Sequence, residues 1–307
     1  MANLKQLKLK RQSVNKTAKV TRAMEAVSAV KMQKSQENAL SGRSFAVVAL
    51  RILNALSFDI ENSSHDLVVS KDSGKKGLLL ITSDKGLAGS LNSSVLKKAQ
   101  EFIDREGAEK IVAIAIGRRA HEFLRRRKVE IIYKQDNKQD EVKLSDTLEI
   151  SEHIINAHMV SKTRSWHIAY MNFVSTFDQM PVFRQVLPLS ESELEALVKD
   201  IAPKTGKYSD EQIKDKEISP NLSYTIESDA ENILDDLIKS LVNIMVHHSL
   251  LESKASEHSA RMVAMKSATD KAKELSHDLL LKFNKARQAA ITREVSEITS
   301  GVEAMKE

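Results

Sequence analysis

The chain has 307 residues, 41% of them hydrophobic, and 47 Lys and Arg against 42 Asp and Glu give it a net charge of +5. No stretch approaches the roughly 18 uninterrupted apolar residues that a membrane span requires, and the opening MANLKQLKLKRQSVNK has no apolar segment of the kind that directs export. The absence of cysteine excludes disulfides, thiolate metal sites, cysteine nucleophiles and thiol regulation, and fits a reducing compartment.

Residues 1–34 carry nine cations (Lys5, Lys8, Lys10, Arg11, Lys16, Lys19, Arg22, Lys31 and Lys34) against one acid, Glu25, so this end suits an acidic partner or a polyanion. Residues 1–41 contain no Gly or Pro, and Phe45, Val48, Ile52, Leu53 and Leu56 keep helical spacing beyond Gly42. This pattern predicts a helix over 1–57 with a thin seam of Leu4, Leu7, Val14, Ala18, Met24, Val27 and Met32.

The glycines and prolines then mark a different kind of segment, since all four prolines and eight of nine glycines lie between Gly42 and Pro220. Residues 70–190 read as an α/β domain. Gly77–Thr82, Ile111–Ile116 and Val129–Tyr133 are apolar strands, with helices through Ala99 and Phe102, over Arg118–Arg127 and near Ser145–Val160. Trp166–Thr176 and Val182–Leu189 are expected to close the sheet as an antiparallel pair around a turn at Asp178–Pro181. The turn Ser83–Asn92 has neither G-x-G-x-x-G nor G-x-x-x-x-G-K-[ST]. It is read as a sharp packing turn rather than a phosphate cradle, with Asn92 as helix cap.

Residues 191–222 are a charged insertion or linker, and 223–300 lack any helix breaker. At 1.5 Å per residue, eighty such residues run about 120 Å as helix. Steps of 4 and 3 from Leu237 to Ala290 meet apolar side chains at twelve of sixteen positions, and a period held at about 3.5 indicates a coiled coil. The partner is the N-terminal helix, paired antiparallel, with the C-terminal helix outrunning it near residue 285. His247, His248 and Glu252 have helical ligand spacing without a third histidine, so they are read as seam residues and no metal is expected. No nucleophile motif occurs, hence no catalytic residue. Aromatic content of 4% argues against a nucleic-acid binder despite the basic end.

Specific residues carry a family resemblance. Leu4-Lys5, Arg11, Val14, Lys19-Val20-Thr21-Arg22-Ala23-Met24, the turn Ile81–Asn92, Ala260-Arg261-Met262-Val263-Ala264-Met265-Lys266 and Asn284-Lys285-Ala286-Arg287-Gln288-Ala289-Ala290 resemble the gamma subunit of F-type ATP synthases, in its bacterial form. That resemblance implies a central rotor shaft, coupling proton-driven rotation of the membrane ring to ATP synthesis and hydrolysis in a head of alpha and beta subunits. It implies no cofactor and no catalytic site in the chain itself. Further partners are the epsilon subunit and the membrane c-ring, with no nucleic acid and no transmembrane segment, and the place is the cytoplasmic side of the cell inner membrane. Met24, Arg261, Arg287 and Gln288 would contact beta, with Lys31 and Lys34 as nearby basic candidates. Residues 190–222 depart from the bacterial pattern, and Ala88 stands where the family turn usually has cysteine.

Overall fold

A computed structural model describes residues 2–41, 66–69, 71–136, 142–160, 162–189 and 230–305. The predicted helix beyond Ser41 and the insertion 191–222 lie outside the described residues. Among the described residues the α-helices and strands follow in chain order as α1 (Ala2–Ser41), β1 (Lys75–Ile81), α2 (Leu91–Glu106), β2 (Ile111–Ile116), α3 (Arg118–Arg126), β3 (Glu130–Gln135), α4 (Leu144–Met159), β4 (Thr163–Phe173), β5 (Gln179–Leu187) and α5 (Ala230–Ala304). Contacts group them into two units, one of residues 1–28 and 262–307 and one of 29–261.

In the second unit the five strands form one sheet in the order β3-β2-β1-β4-β5, parallel except for the β4–β5 hairpin. Strand side chains alternate between faces, and both faces are covered. Leu79, Ile81, Ile114, Trp166 and Ile168 pack with Ile150 and Ile154 of α4 and with Ile238, Leu241, Val242 and Met245 of α5. Leu78, Leu80, Ala113, Ala169 and Met171 pack with Val95, Ala99 and Phe102 of α2 and Leu124 of α3. Double coverage is the reason β1 and β2 read as unbroken apolar runs, each such side chain contributing roughly 2 kcal/mol when fully buried.

The hairpin differs from expectation in one respect. Its turn is Ser175–Asp178, closed by the Ser175 amide on the Asp178 carbonyl (2.9 Å), and Pro181 lies inside β5 opposite Met171. An edge strand tolerates proline because half of its amides have no ladder partner. Asn92 also behaves differently. The helix starts at Leu91, and the Asn92 amide group ties back the turn: its Oδ1 accepts from the Ser83 amide (3.0 Å) and its Nδ2 donates to Ser83 Oγ (2.8 Å).

The first unit is a helix pair. Thr21 Oγ1 and Thr269 Oγ1 are 2.7 Å apart, and Ser276 Oγ donates to Asn15 Oδ1 at 2.6 Å, so numbers fall on one helix as they rise on the other. The pairing is antiparallel, as predicted. On α5 the buried positions Met265, Thr269, Ala272, Ser276 and Leu279 follow the predicted seam. On α1 the seam shifts: Val27 is 53% exposed, whereas Thr21 and Ser28 are buried. Hydroxyls that bond the preceding turn or each other across the pair are buried at little cost, so they can occupy the seam. Thr269 Oγ1 donates to the Met265 carbonyl (2.8 Å), which leaves its lone pairs to accept the Thr21 hydroxyl proton across the pair (2.7 Å).

Two substitutions check these assignments. Gly77 faces the Trp166 indole so closely that a Cβ would collide with the ring, so Gly77→Ala lowers stability by about 1–3 kcal/mol in urea unfolding. Thr21→Val and Thr269→Val each cost about 1 kcal/mol, and the double variant costs less than their sum, measured as a double-mutant cycle on thermal melts.

Candidate functional site

The residues singled out in the sequence fall on the helices. Met24 is half-buried on α1, and Lys31 is half-buried and Lys34 exposed further along it. Arg287 and Gln288 are both exposed on α5. Continuing the register of the two side-chain pairs brings Leu4 level with Ala286 and Arg287, and from Ile291 to Thr299 every α5 residue is exposed. Arg287 and Gln288 therefore stand where the partner helix ends. Beyond them Ile291, Val295, Ile298 and Val302, between 51% and 67% exposed, continue in steps of 4, 3 and 4. An apolar stripe of this length on a solvated helix marks a surface that another chain covers.

Arg261 has a different environment. It is buried, and its Nη2 donates to Glu257 Oε1 at 2.6 Å, while Lys254 Nζ is 3.7 Å from the other Glu257 oxygen. Every residue from His248 to Ser259 is buried, so α5 carries charge here through a desolvated setting. Balanced charges and hydrogen bonds make that possible. Glu252 Oε2 accepts from the Phe173 amide (2.9 Å), Ser256 Oγ donates to the Met171 carbonyl (3.2 Å), and Ser259 Oγ donates to the Thr176 carbonyl (2.6 Å). These three bonds occupy the carboxyl end of β4, beside the strand-order reversal where open α/β sheets usually hold ligands. Sequence reasoning missed both this network and the buried hydroxyls of α1. The seven-residue interval of Thr21, Ser28 and Ser35 was a visible signal for the latter.

The turn after β1 is anchored as a packing element. Asp84 Oδ1 accepts from the Arg118 amide (2.6 Å), Thr82 Oγ1 accepts from the Ala120 amide (2.8 Å), and Gly117, at φ 91, passes against the Thr82 carbonyl with no room for a Cβ. Its side chains are spent on capping α3. Among the described residues no cluster of three His, Cys, Asp or Glu could hold a metal. His248 lies 3.9 Å from Glu252 and is buried, which with Arg184 and His247 nearby pushes its pKa down to about 3.

The whole chain can be compared with known proteins on this basis. The ATP synthase family model matches residues 3–305. The ATP synthase gamma chain of Roseiflexus sp. is 35% identical over 311 residues, covering all of both chains, and that of Paraburkholderia phymatum is 37% identical over 316 residues, covering 99% of this chain and all of its own. The chain belongs to the ATP synthase gamma-chain family. Among solved structures, a chain of the Euglena gracilis mitochondrial ATP synthase has a TM-score of 0.64 at 17% identity, covering 99% of this chain and 95% of its own. A chain from the Tetrahymena thermophila mitochondrial ATP synthase central stalk and c-ring gives 0.56 at 20% identity, covering 81% and 99%. Both show a likeness of fold. Among the described residues no helix is long and apolar enough to cross a membrane.

Buried histidines set the acid response. Burial holds His167 at about 4 and His248 at about 3, below the ordinary 6.5. An unfolded chain takes up protons at these sites before the folded one does, so stability is fully present above 6.5 and is lost as pH falls toward 4. Thermal melts from pH 7 to pH 5, above the ordinary carboxylate value of 4.5, should show a falling midpoint. His167→Phe, placed among Phe102 and Phe183, should flatten that fall. Glu257→Gln removes the carboxylate that accepts from buried Arg261 at 2.6 Å and should cost about 3 kcal/mol in urea unfolding at pH 7.

Proposed function

We propose that this chain is the central rotor shaft of an F-type ATP synthase, with no catalytic site of its own, coupling rotation of a membrane ring to ATP synthesis and hydrolysis in a head of alpha and beta subunits. Family membership supports the assignment. The observation that carries the mechanical part is the asymmetric helix pair, whose longer member continues past its partner as an exposed tip with an apolar stripe. A rod that presents a different side to each of several surrounding subunits binds their conformations unequally, and turning it shifts which conformation each subunit favours.

In this reading Arg287 and Gln288, exposed where the pair ends, contact beta from the tip. Met24, Lys31 and Lys34 contact it from α1. Arg261 reaches beta only by sharing or exchanging its bond to Glu257, so its first role in the free chain is to balance that carboxylate. The epsilon subunit and the c-ring are the remaining partners. The chain works peripherally at the cytoplasmic face of the cell inner membrane.

Reconstitution tests this directly. Purified alpha and beta subunits should hydrolyse ATP faster with the chain than without it, and the three should co-purify. No stimulation and no co-purification would remove the shaft reading. Arg287→Glu combined with Gln288→Glu should reduce the stimulation about tenfold while leaving helicity unchanged.

A further inference from the structure

We propose that the amino-terminal edge of the sheet is a docking surface for anionic phospholipid headgroups. The four parallel strands start at one edge of the α/β unit, at Lys75, Ile111, Glu130 and Thr163. The last residues of α3 lead into β3 at that edge as four consecutive exposed cations, Arg125, Arg126, Arg127 and Lys128. None of the four has an ion pair among the described residues. The neighbouring carboxylate is already taken, because Glu130 is held by Lys75 at 2.7 Å and Lys162 at 2.8 Å, which keep its pKa below the usual range. Glu109 and Glu130 are the carboxylates at this edge, and against them stand Lys75, Lys162 and the four cations of 125–128, so the edge keeps a positive excess.

Cations at a helix end also complement the helix dipole, but Lys128 lies outside that explanation. It follows the helix at φ 57, where the Val129 amide bonds back to the Leu124 carbonyl (3.2 Å) and glycine is the residue of least conformational cost. Lysine at this position keeps its charge against the preference of the backbone. Arg125 and Lys128 also line, with Lys75, Glu109, Glu130 and Ile131, an open cleft of about 520 Å³, roomy enough for a phosphate-bearing headgroup.

A second feature of the same edge favours lipid over an acidic protein. Met159 and Val160, which end α4 just before β4 begins, are 41% and 74% exposed. Cations beside bare aliphatic side chains match a surface of charged headgroups over acyl chains. The orientation rests on the shaft reading. In that reading this unit stands near the membrane ring, and within the unit the cationic edge lies opposite the sheet edge where Ser256 and Ser259 bond the Met171 and Thr176 carbonyls.

The test uses the full chain with vesicles of phosphatidylcholine alone or mixed equally with phosphatidylglycerol. Sedimentation should show binding to the mixed vesicles only. Combined Arg125→Glu, Arg126→Glu and Lys128→Glu should weaken it about a hundredfold, whereas the charge-matched control Lys5→Glu, Lys8→Glu and Lys10→Glu should leave it within severalfold. Val160→Ser should weaken the binding that survives in high salt. Equal losses from both triple variants, no loss from the first, or displacement by millimolar inorganic phosphate at constant ionic strength would overturn the proposal. Stimulation of the alpha–beta head is a separate readout, and the first variant should retain it. A chain that binds vesicles through Arg125–Lys128 without stimulating the head removes the shaft reading and supports the headgroup surface.

Discussion

Everything in this chain depends on one unbroken helix having two partners in succession. The segment of α5 from Ile238 to Leu250 gives its apolar side chains to the sheet, and the segment from Met265 to Leu279 gives a heptad seam to α1. A helix that packs on a globular core and one that packs in a coiled coil want slightly different periods, 3.6 and 3.5 residues. The difference accumulates slowly enough that one sequence serves both over this length. The absence of glycine and proline from 221 to 300 is the condition for it, since a single kink between the segments would uncouple them.

The stretch between those segments explains why charge was kept where apolar packing would be simpler. Replacing a buried ion pair by hydrocarbon is often neutral or stabilising, so Lys254, Glu257 and Arg261 are not retained for stability alone. Charged groups have few acceptable partners, and Glu252 satisfies the Phe173 amide while Ser256 and Ser259 satisfy carbonyls near the end of β4. A slide of one residue along the helix would break all three bonds and strand the charges. Polar groups thereby fix the helix in register against the sheet, as Thr21–Thr269 and Asn15–Ser276 do within the helix pair. Apolar contacts alone, being non-directional, leave such a slide inexpensive.

How much of this was legible follows from the same physics. Leu78–Ile81 and Ile111–Ile116 were readable as strands because burial on both faces leaves no polar residue in them, and the seam of α5 was readable because its period repeats many times. The seam of α1 was misread at Val27 because a hydrophobic side chain looks like core in sequence, whereas the buried positions are Thr21 and Ser28, whose hydroxyls can be satisfied within or across the pair. Pro181 looked like a turn because proline is rare in strands. Only the knowledge that β5 is an edge reconciles the two. The charge ladder of α5 was invisible for a general reason: in a helix of alternating acids and bases, sequence spacing gives the pairs but not their burial. Arg287 and Gln288 could be placed near the end of the pair because the shorter helix leaves one end of the longer single and the apolar seam of α5 fails after Ala290.

That last point bears on how a shaft can be both strong and selective. The polar pairs hold two helices against sliding, which a single helix cannot do for itself, and so the paired part is suited to carrying load. The single tip beyond Arg287 has no partner helix to hide its apolar stripe, so its surface is available to whatever surrounds it. The stripe itself, Ile291, Val295, Ile298 and Val302, is short and aliphatic, and no aromatic residue or proline occurs from 284 to 307. Contacts of this kind are numerous, weak and non-directional, which permits turning within a close-fitting surround. Directional contacts need polar side chains, which the helix presents at Arg287 and Gln288 at the root of the tip and at Arg293, Glu294 and Glu297 along it, so grip and slip alternate around one helix.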